Sequence, residues 1–381
     1  MFQNLKVLEL ASVLAGPSVG QFFAELGAVV IKVENLKTGG DVTRTWKGAD
    51  EQTDDCSAYF CSCNWGKKSV ALDLTSEEGK RIVQKLAQRS DLIIASYKPG
   101  DAEKLGVAYQ QLLINNKKLI YGQITGYGAD NDRVGYDAVI QAESGFMDLN
   151  GEKDGLPIKM PVALIDVLAA HHLKQGLLLA LLKREKTGEG SLVEVSLIQT
   201  ALSSLVNQAT NWLVAKKLPT RQGSAHPNIA PYGDSFLTKD NKRILLAVGN
   251  DRQFQDLIKV LGIGQEVIDL GAWALEVKFL SNQQRVENRA ALNELLANVI
   301  ATFHSKELMQ KINQLKIPAG LIQNVEEAFS TKEAKEILMG SESLLGVRNF
   351  VGLLSNFDRS NLSAPPHFGE HTSEILNSIK E

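Results

Sequence analysis

Short apolar runs alternate with helical stretches through the first third of the chain, and this alternation decides the fold class. Lys6–Leu10, Val29–Glu34, Ser69–Leu74, Asp91–Ser96 and Leu119–Thr125 are rich in Val, Ile and Leu. They are too continuously apolar for strands with one wet face. Such runs suit strands buried on both faces, the situation of a parallel sheet covered by helices. Helical segments lie between them: one from Pro17 to Leu26, stopped by Gly27, and one begun by Thr75-Ser-Glu-Glu78 with capping-box character. The order strand, helix, strand predicts a doubly wound α/β fold with a Rossmann-like open parallel sheet.

The chain has 381 residues, enough for a second domain beside that sheet. Lys216–Pro231 holds Pro219, Gly223, Pro227 and Pro231 and reads as a linker. The expected layout is a large domain over 1–215, a linker and smaller α+β domain over 216–325, and a C-terminal return to the large domain over 326–381. Net charge is -3, so bulk charge gives no reason to expect nucleic acid or a membrane surface as partner. The most apolar stretch, 163–182, contains Asp166, two histidines and Lys174, which argues against a membrane span. Met1–Lys6 runs straight into a strand pattern without a charged and apolar leader, and the expected location is cytoplasmic. Cys56, Cys61 and Cys63 are the only cysteines; with no His close by in sequence they read as reduced thiols, and no bound metal or permanent cofactor is expected.

Several chemistries are weak on motif grounds. The turn after the first strand, Ala15-Gly-Pro-Ser-Val-Gly20, lacks Gly-x-Gly-x-x-Gly and places Pro17 where a pyrophosphate would approach; Glu34 alone could mimic a ribose-binding acid. Walker-A and Gly-x-Ser-x-Gly patterns are absent. Basic residues do follow a pattern: Lys37, Arg44, Lys67, Lys68, Lys98 and Lys104 flank strand ends, where an open α/β sheet binds ligands. A ligand with several phosphates suits such a cluster. The loop from Asn35 to Trp65, with Gly39-Gly40-Asp41 and Trp46, is long enough to be functional. Asp166 closes an apolar run and precedes a long helical pattern. Taken alone it reads as an N-cap, held ionised by the helix N-terminus.

Motifs in register along nearly the whole chain give the carboxylate a second reading. They are Val7-Leu-Glu-Leu, Ala15-Gly-Pro, Glu25–Glu34, Gly40–Arg44, Lys67–Leu74, Lys98-Pro-Gly100, Thr125-Gly-Tyr-Gly128, Gly135-Tyr-Asp-Ala138, Asp166, Lys186–Gly190, His226–Tyr232, Ile317–Gly320 and Gly369–Thr372. This set resembles the family III CoA-transferases, which include formyl-CoA transferase and carnitine CoA-transferase. The resemblance implies that Asp166 is a nucleophile toward an acyl-CoA thioester, with Tyr136 and Asp137 as neighbours in the site. It implies coenzyme A or acyl-CoA as substrate, and a carboxylic acid as its partner. Contacts to the CoA moiety are implied for Leu14, Ala15, Asn35, Lys37 and Lys68, and for Leu72, Ser96, Tyr97, Lys98 and Lys104. An interlocked homodimer is implied as well.

Departures from the pattern narrow the reading. Racemases of the family carry a His where Tyr136 stands, which favours transfer over racemisation; a CoA-thioester-binding protein with Asp166 only as a cap is a further alternative. Leu14 replaces a Gln that holds a small acid in formyl-CoA transferase, so formate and oxalate are not favoured. Asn35 and Lys104 replace CoA-contacting arginines, and Lys37 could compensate for the first.

Overall fold

The computed structural model describes residues 1–263, 278–341, 343–355, 357 and 361–379. They fall into two compact units: 1–147, 159–218 and 333–381 form the first, and 148–158 with 219–332 the second. The short segment 148–158, which sequence pattern places in the large domain, clusters with the second unit, and the chain rejoins the first at Glu333 rather than 326.

The first unit is built on six parallel strands: β1 (Lys6–Leu10), β2 (Val29–Asn35), β3 (Lys67–Leu72), β4 (Leu92–Ala95), β5 (Ile120–Thr125) and β6 (Ser191–Ser196), in the order β3-β2-β1-β4-β5-β6. This is the Rossmann-like sheet expected from the alternating pattern. One face carries α1 (Ala15–Glu25), then α4 (Leu164–Thr187) and α5 (Leu197–Ser204), buried through Val19, Phe23, Ile165, Leu173 and Leu177. The other carries α2 (Glu77–Gln88) and the C-terminal α7 (Thr372–Ser378), through Val83, Leu86 and Ile375. Burying a side chain such as Leu173 contributes about 1.5–3 kcal/mol, so the inward stripe of α4 is a principal anchor.

Helix α4 has the length and hydropathy of a bilayer-spanning helix. Its inward stripe instead packs on the sheet: a Cβ on Gly122 of β5 would lie 3.0 Å from both Leu173 and Leu177. Two further helices of this unit matter below: α3 (Asp137–Glu143) and α6 (Val206–Leu213).

The second unit contains an antiparallel sheet of β7 (Tyr232–Leu237), β8 (Arg243–Ala247) and β9 (Ala319–Leu321) in that order. Helices at Asp251–Leu261, Arg289–Ile300 and Ser305–Gln314 cover it with Leu257, Leu292, Leu296 and Leu308.

Candidate active site

The strand order reverses between β1 and β4, and open α/β sheets bind ligands outside the carboxyl ends of strands at such a point. The turn that leaves β1 is strained there. Val13 has φ 74, a left-handed conformation that a β-branched residue rarely adopts. It is held because its N–H donates to the Asp41 carboxylate, at 3.2 and 3.3 Å. Asp41 also accepts from Thr43 N–H and pairs with Lys32 at 2.9 Å. Lys32 donates to Glu9 at 3.0 Å and to the Ala11 carbonyl at 2.7 Å. Glu9 in turn meets Lys67 at 2.7 Å. Burial alone would lower Lys32, but the carboxylates of Glu9, Asp41 and Glu34 hold it well above its ordinary value. Beyond this turn α1 begins at Ala15 without a side-chain cap, so its first N–H groups are free to meet an oxyanion.

Two cavities lie along this edge. One of about 460 Å³ is lined by Ala11, Glu34, Asn35, Thr38, Gly40, Thr75 and Leu105, among others. The second, about 320 Å³, is lined by Leu14, Ala15, Gly16, Trp46, Lys98, Arg133, Gly135, Tyr136, Asp137 and Asp166. Ser12, Val42, Ser96 and Tyr97 line both, which makes them one groove. Gly126 and Gly135 close its far wall: a Cβ on Gly135 would fall 2.6 Å from the Gly126 Cα, so only glycine lets these two backbones pack.

Asp166 is not the N-cap that its sequence position suggests. The cap position of α4 is Ala163, and Asp166 lies in the first turn. The cap function falls to Asp137, whose Oδ1 accepts from Ile165 N–H at 2.8 Å. Its Oδ2 accepts from Gln141 Nε2 at 2.6 Å, and the Gln141 amide oxygen takes Met160 N–H at 2.8 Å. Asp137 and Gln141 thus fix the segment that delivers Asp166. Nor does the helix N-terminus hold Asp166 fully ionised. Burial, and then the neighbouring charge of Asp137, push its carboxyl up to about 7. The result is a carboxylate far more basic than an exposed one, poised for nucleophilic work near neutral pH. Tyr59, on the short helix Ala58–Cys61, is pushed up to about 12 by burial and by the charge of Asp166.

The residues singled out in the sequence separate into two groups. Leu14, Ala15, Tyr136, Asp137, Asp166 and Lys98 line the smaller cavity, Asn35 the larger, and Ser96 and Tyr97 both. Lys37 pairs with Asp73 and donates to Thr75 at 2.7 Å, which puts it at the rim of the larger cavity. Three others line neither cavity. Lys68, near the amino end of β3, pairs with Glu374; Leu72 is a core residue in register with Asn35 on the neighbouring strand; and Lys104 pairs with Asp101 on its own helical turn.

The expected phosphate cluster is corrected at Lys67 and Arg44. Both are buried in ion pairs, Lys67 with Glu9 and Arg44 with Glu34. The same pairing removes Glu34 as a ribose acid, since Arg44 and Ser69 occupy its oxygens. Folding also brings a histidine to the cysteines: Asp54, Asp55, Cys56 and His367 place possible ligand atoms within 4.8 Å of one another. Burial and Asp55 push the Cys56 thiol up to about 12, so it stays a thiol donating to the Pro366 carbonyl. Sequence patterns do not mark Val13, Arg133 or Gln141. The short spacing from Gly39-Gly40 to Asp41 was the available signal for the loop that holds Val13.

A buried, basic carboxylate, an uncapped helix N-terminus and an elongated groove together suit attack on a thioester carried by a long ligand. The profile of CoA-transferase family III matches residues 2–372. The chain belongs to CoA-transferase family III. A succinate–glutarate CoA-transferase of Agrobacterium fabrum is 34% identical, over 99% of this chain and 95% of that protein. The mouse succinyl-CoA:glutarate CoA-transferase is 32% identical, over 99% of this chain and 86% of its own length. The crystal structure of a CAIB/BAIF family protein from Brucella suis superposes with a TM-score of 0.88 at 37% identity, covering 98% of both chains. This family III CoA-transferase is therefore an enzyme that works on CoA thioesters. Transfer is the reading these relatives support, ahead of racemisation or mere thioester binding.

Proposed function

We propose that this family III CoA-transferase moves CoA from a dicarboxylic acyl-CoA to a dicarboxylic acid, with Asp166 as the covalent carrier. The single observation behind this is the buried, basic Asp166 carboxylate in a groove that also admits a long ligand. An Asp166 oxygen attacks the thioester carbonyl, the C–S bond breaks, and CoA thiolate leaves a mixed anhydride. The thiolate then attacks the aspartyl carbonyl of that anhydride. This forms an Asp166–CoA thioester and releases the donor acid as its carboxylate. The acceptor carboxylate attacks this thioester and expels thiolate again. Thiolate attack on the acceptor's acyl carbon finally yields the new acyl-CoA and restores Asp166. Each step exchanges one activated acyl bond for another, so the thioester's free energy is kept. The N–H groups at the start of α1 stabilise the oxyanions, and the larger cavity takes the nucleotide end of CoA, with Lys37 at its rim.

The dicarboxylic substrate class rests on the names of the relatives, which include succinate–glutarate and succinyl-CoA:mesaconate CoA-transferases. Leu14 in the cavity wall suits the methylene spacer of such acids better than formate or oxalate.

Two further readings accompany this one. A homodimer covers the apolar side chains that α4 to α6 leave exposed, among them Leu182, Val206, Trp212 and Leu213. Three free, buried cysteines suit a reducing, cytoplasmic setting.

Incubation with acyl-CoA followed by hydroxylamine is expected to leave a hydroxamate on Asp166, read by peptide mass spectrometry. Turnover with no adduct at that residue would falsify the carrier role. The neighbour that tunes Asp166 can be tested through pH. The rate of attack on acyl-CoA should rise with pH through about 7 as Asp166 ionises. In Asp137→Asn the amide oxygen still accepts from Ile165 N–H, but the repelling charge is gone. Asp166 then ionises more easily, and the acid limb of kcat/KM is expected to move down by about one pH unit. An unmoved limb would show that Asp137 acts only as a cap.

A further inference from the structure

A dicarboxylic substrate presents a difficulty that the carrier chemistry does not solve. One carboxylate enters the acyl bond, and the other keeps its charge in a cavity already holding the acids Asp137 and Asp166. An anion in such a place is repelled by those two acids and is held best by a cation at the cavity's rim. Two cations line this cavity among the described residues, Lys98 and Arg133. Lys98 follows Ser96 and Tyr97, which also line the larger cavity, so it stands on the side where the CoA moiety passes. Arg133 lines the cavity from the segment that leads into Tyr136 and Asp137, and it does not line the larger one.

Resting on the transfer reading above, we propose that Arg133 recognises the distal carboxylate of the dicarboxylic substrate. Its guanidinium is pre-positioned rather than loose. Nη2 donates to Glu143 at 2.6 Å, and the group lies 4.2 Å from the centroid of the Tyr127 ring. Tyr127 donates its own hydroxyl to Glu143 at 2.9 Å, so the three side chains brace one another. The backbone N–H of Arg133 donates to the Asn131 carboxamide at 3.0 Å, which fixes the turn below it. The bond to Glu143 engages one of the five N–H donors of a guanidinium, leaving donors that match the geometry of a second carboxylate. Glu143 and Tyr127 are thus positioning residues, and Arg133 is the specificity determinant. Substrates are selected by the charge at their far end.

The test compares succinate with butyrate, a monocarboxylate of similar length, as acceptors. Wild-type enzyme, Arg133→Gln, Arg133→Lys and Lys98→Gln are each assayed for both acids and for the Asp166 hydroxamate. Wild type is expected to prefer succinate. Arg133→Gln should lose that preference by about tenfold to a hundredfold in kcat/KM, through KM for succinate, with butyrate little changed. Arg133→Lys should keep part of it, having the charge without the fork. Lys98→Gln should weaken both acids alike and keep the ratio. A wild-type enzyme indifferent to the second carboxylate overturns the proposal. So does a ratio preserved in Arg133→Gln, or one lost only in Lys98→Gln. Formation of the hydroxamate in Arg133→Gln shows that chemistry and fold are intact, so such a result strikes Arg133 alone. Absence of the hydroxamate from wild type strikes the carrier reading beneath it.

Discussion

Replacing Asp166 with asparagine is expected to abolish CoA transfer, by about 10,000-fold or more, while making the protein more stable at pH 8. On the proposed mechanism the first effect follows from removing the atom that would form the anhydride; an amide oxygen is too weak a nucleophile to replace it. The second follows from linkage. The folded state holds the Asp166 carboxyl at about 7, against 3.8 for an ordinary aspartate, through burial and the charge of Asp137. A group raised in this way favours the folded state fully below its unfolded value and loses that contribution as pH rises through its folded value. The wild-type protein therefore gives up stability between about pH 4 and pH 7. Asparagine has no proton to lose and is spared this cost, which is at most about 4 kcal/mol. Urea unfolding at pH 5 and pH 8 checks it: the advantage of the variant should grow with pH. An equal advantage at both values would mean that Asp166 is not held in its protonated form by the fold. Activity and stability moving in opposite directions at one residue would mark a site where the fold accepts strain for function.

The sheet was readable from sequence because each strand is short, apolar and separated by its own helix. All five apolar runs of the first third became strands of the parallel sheet. The motif around Asp166 was equally readable, and Tyr136 and Asp137 do meet it in one cavity. What pattern could not show was which charges are spent. Lys67 and Arg44 stand beside strand ends, as ligand-binding residues would, yet each closes a buried ion pair, Lys67 with the distant Glu9 and Arg44 with Glu34 ten residues before it. Only the register of β1, β2 and β3 brings Glu9 to Lys32 and Lys67. The protonation of Asp166 is hidden from the sequence for a related reason. A helix start suggests an ionised carboxylate, but capping is done by Asp137 across the turn, and its charge works against that of Asp166. Burial and cross-chain pairing are properties of the folded state, and they decide the electrostatics here.

Arg44→Ala is expected to cost about 3–5 kcal/mol, because it leaves Glu34 charged and buried without its partner. Arg44 donates to Glu34 from Nε at 2.8 Å and from Nη2 at 2.7 Å, and its guanidinium lies 3.7 Å from the centroid of the Phe60 ring. Burial alone would raise the Glu34 carboxyl; the Arg44 hydrogen bonds and the charge of Lys32 hold it below the usual range instead. A carboxyl held down contributes stability above its unfolded value and loses it as pH falls. Without Arg44 the burial effect gains ground, so the deficit of the variant should be larger at pH 7 than at pH 5. Adding Glu34→Gln to Arg44→Ala should recover part of the loss, and a double-mutant cycle by urea unfolding measures the coupling. Additive single effects would mean that the pair is not the source of the cost. The consequence extends to catalysis through the loop that this pair anchors. Glu34 also accepts from Asp41 N–H, and Asp41 holds the strained Val13 turn in front of α1. Val42 and Trp46 on the same loop line the cavity of Asp166. Loosening Arg44 should therefore lower kcat even where the variant remains folded, since the turn in front of α1 and the wall facing Asp166 depend on one buried charge network.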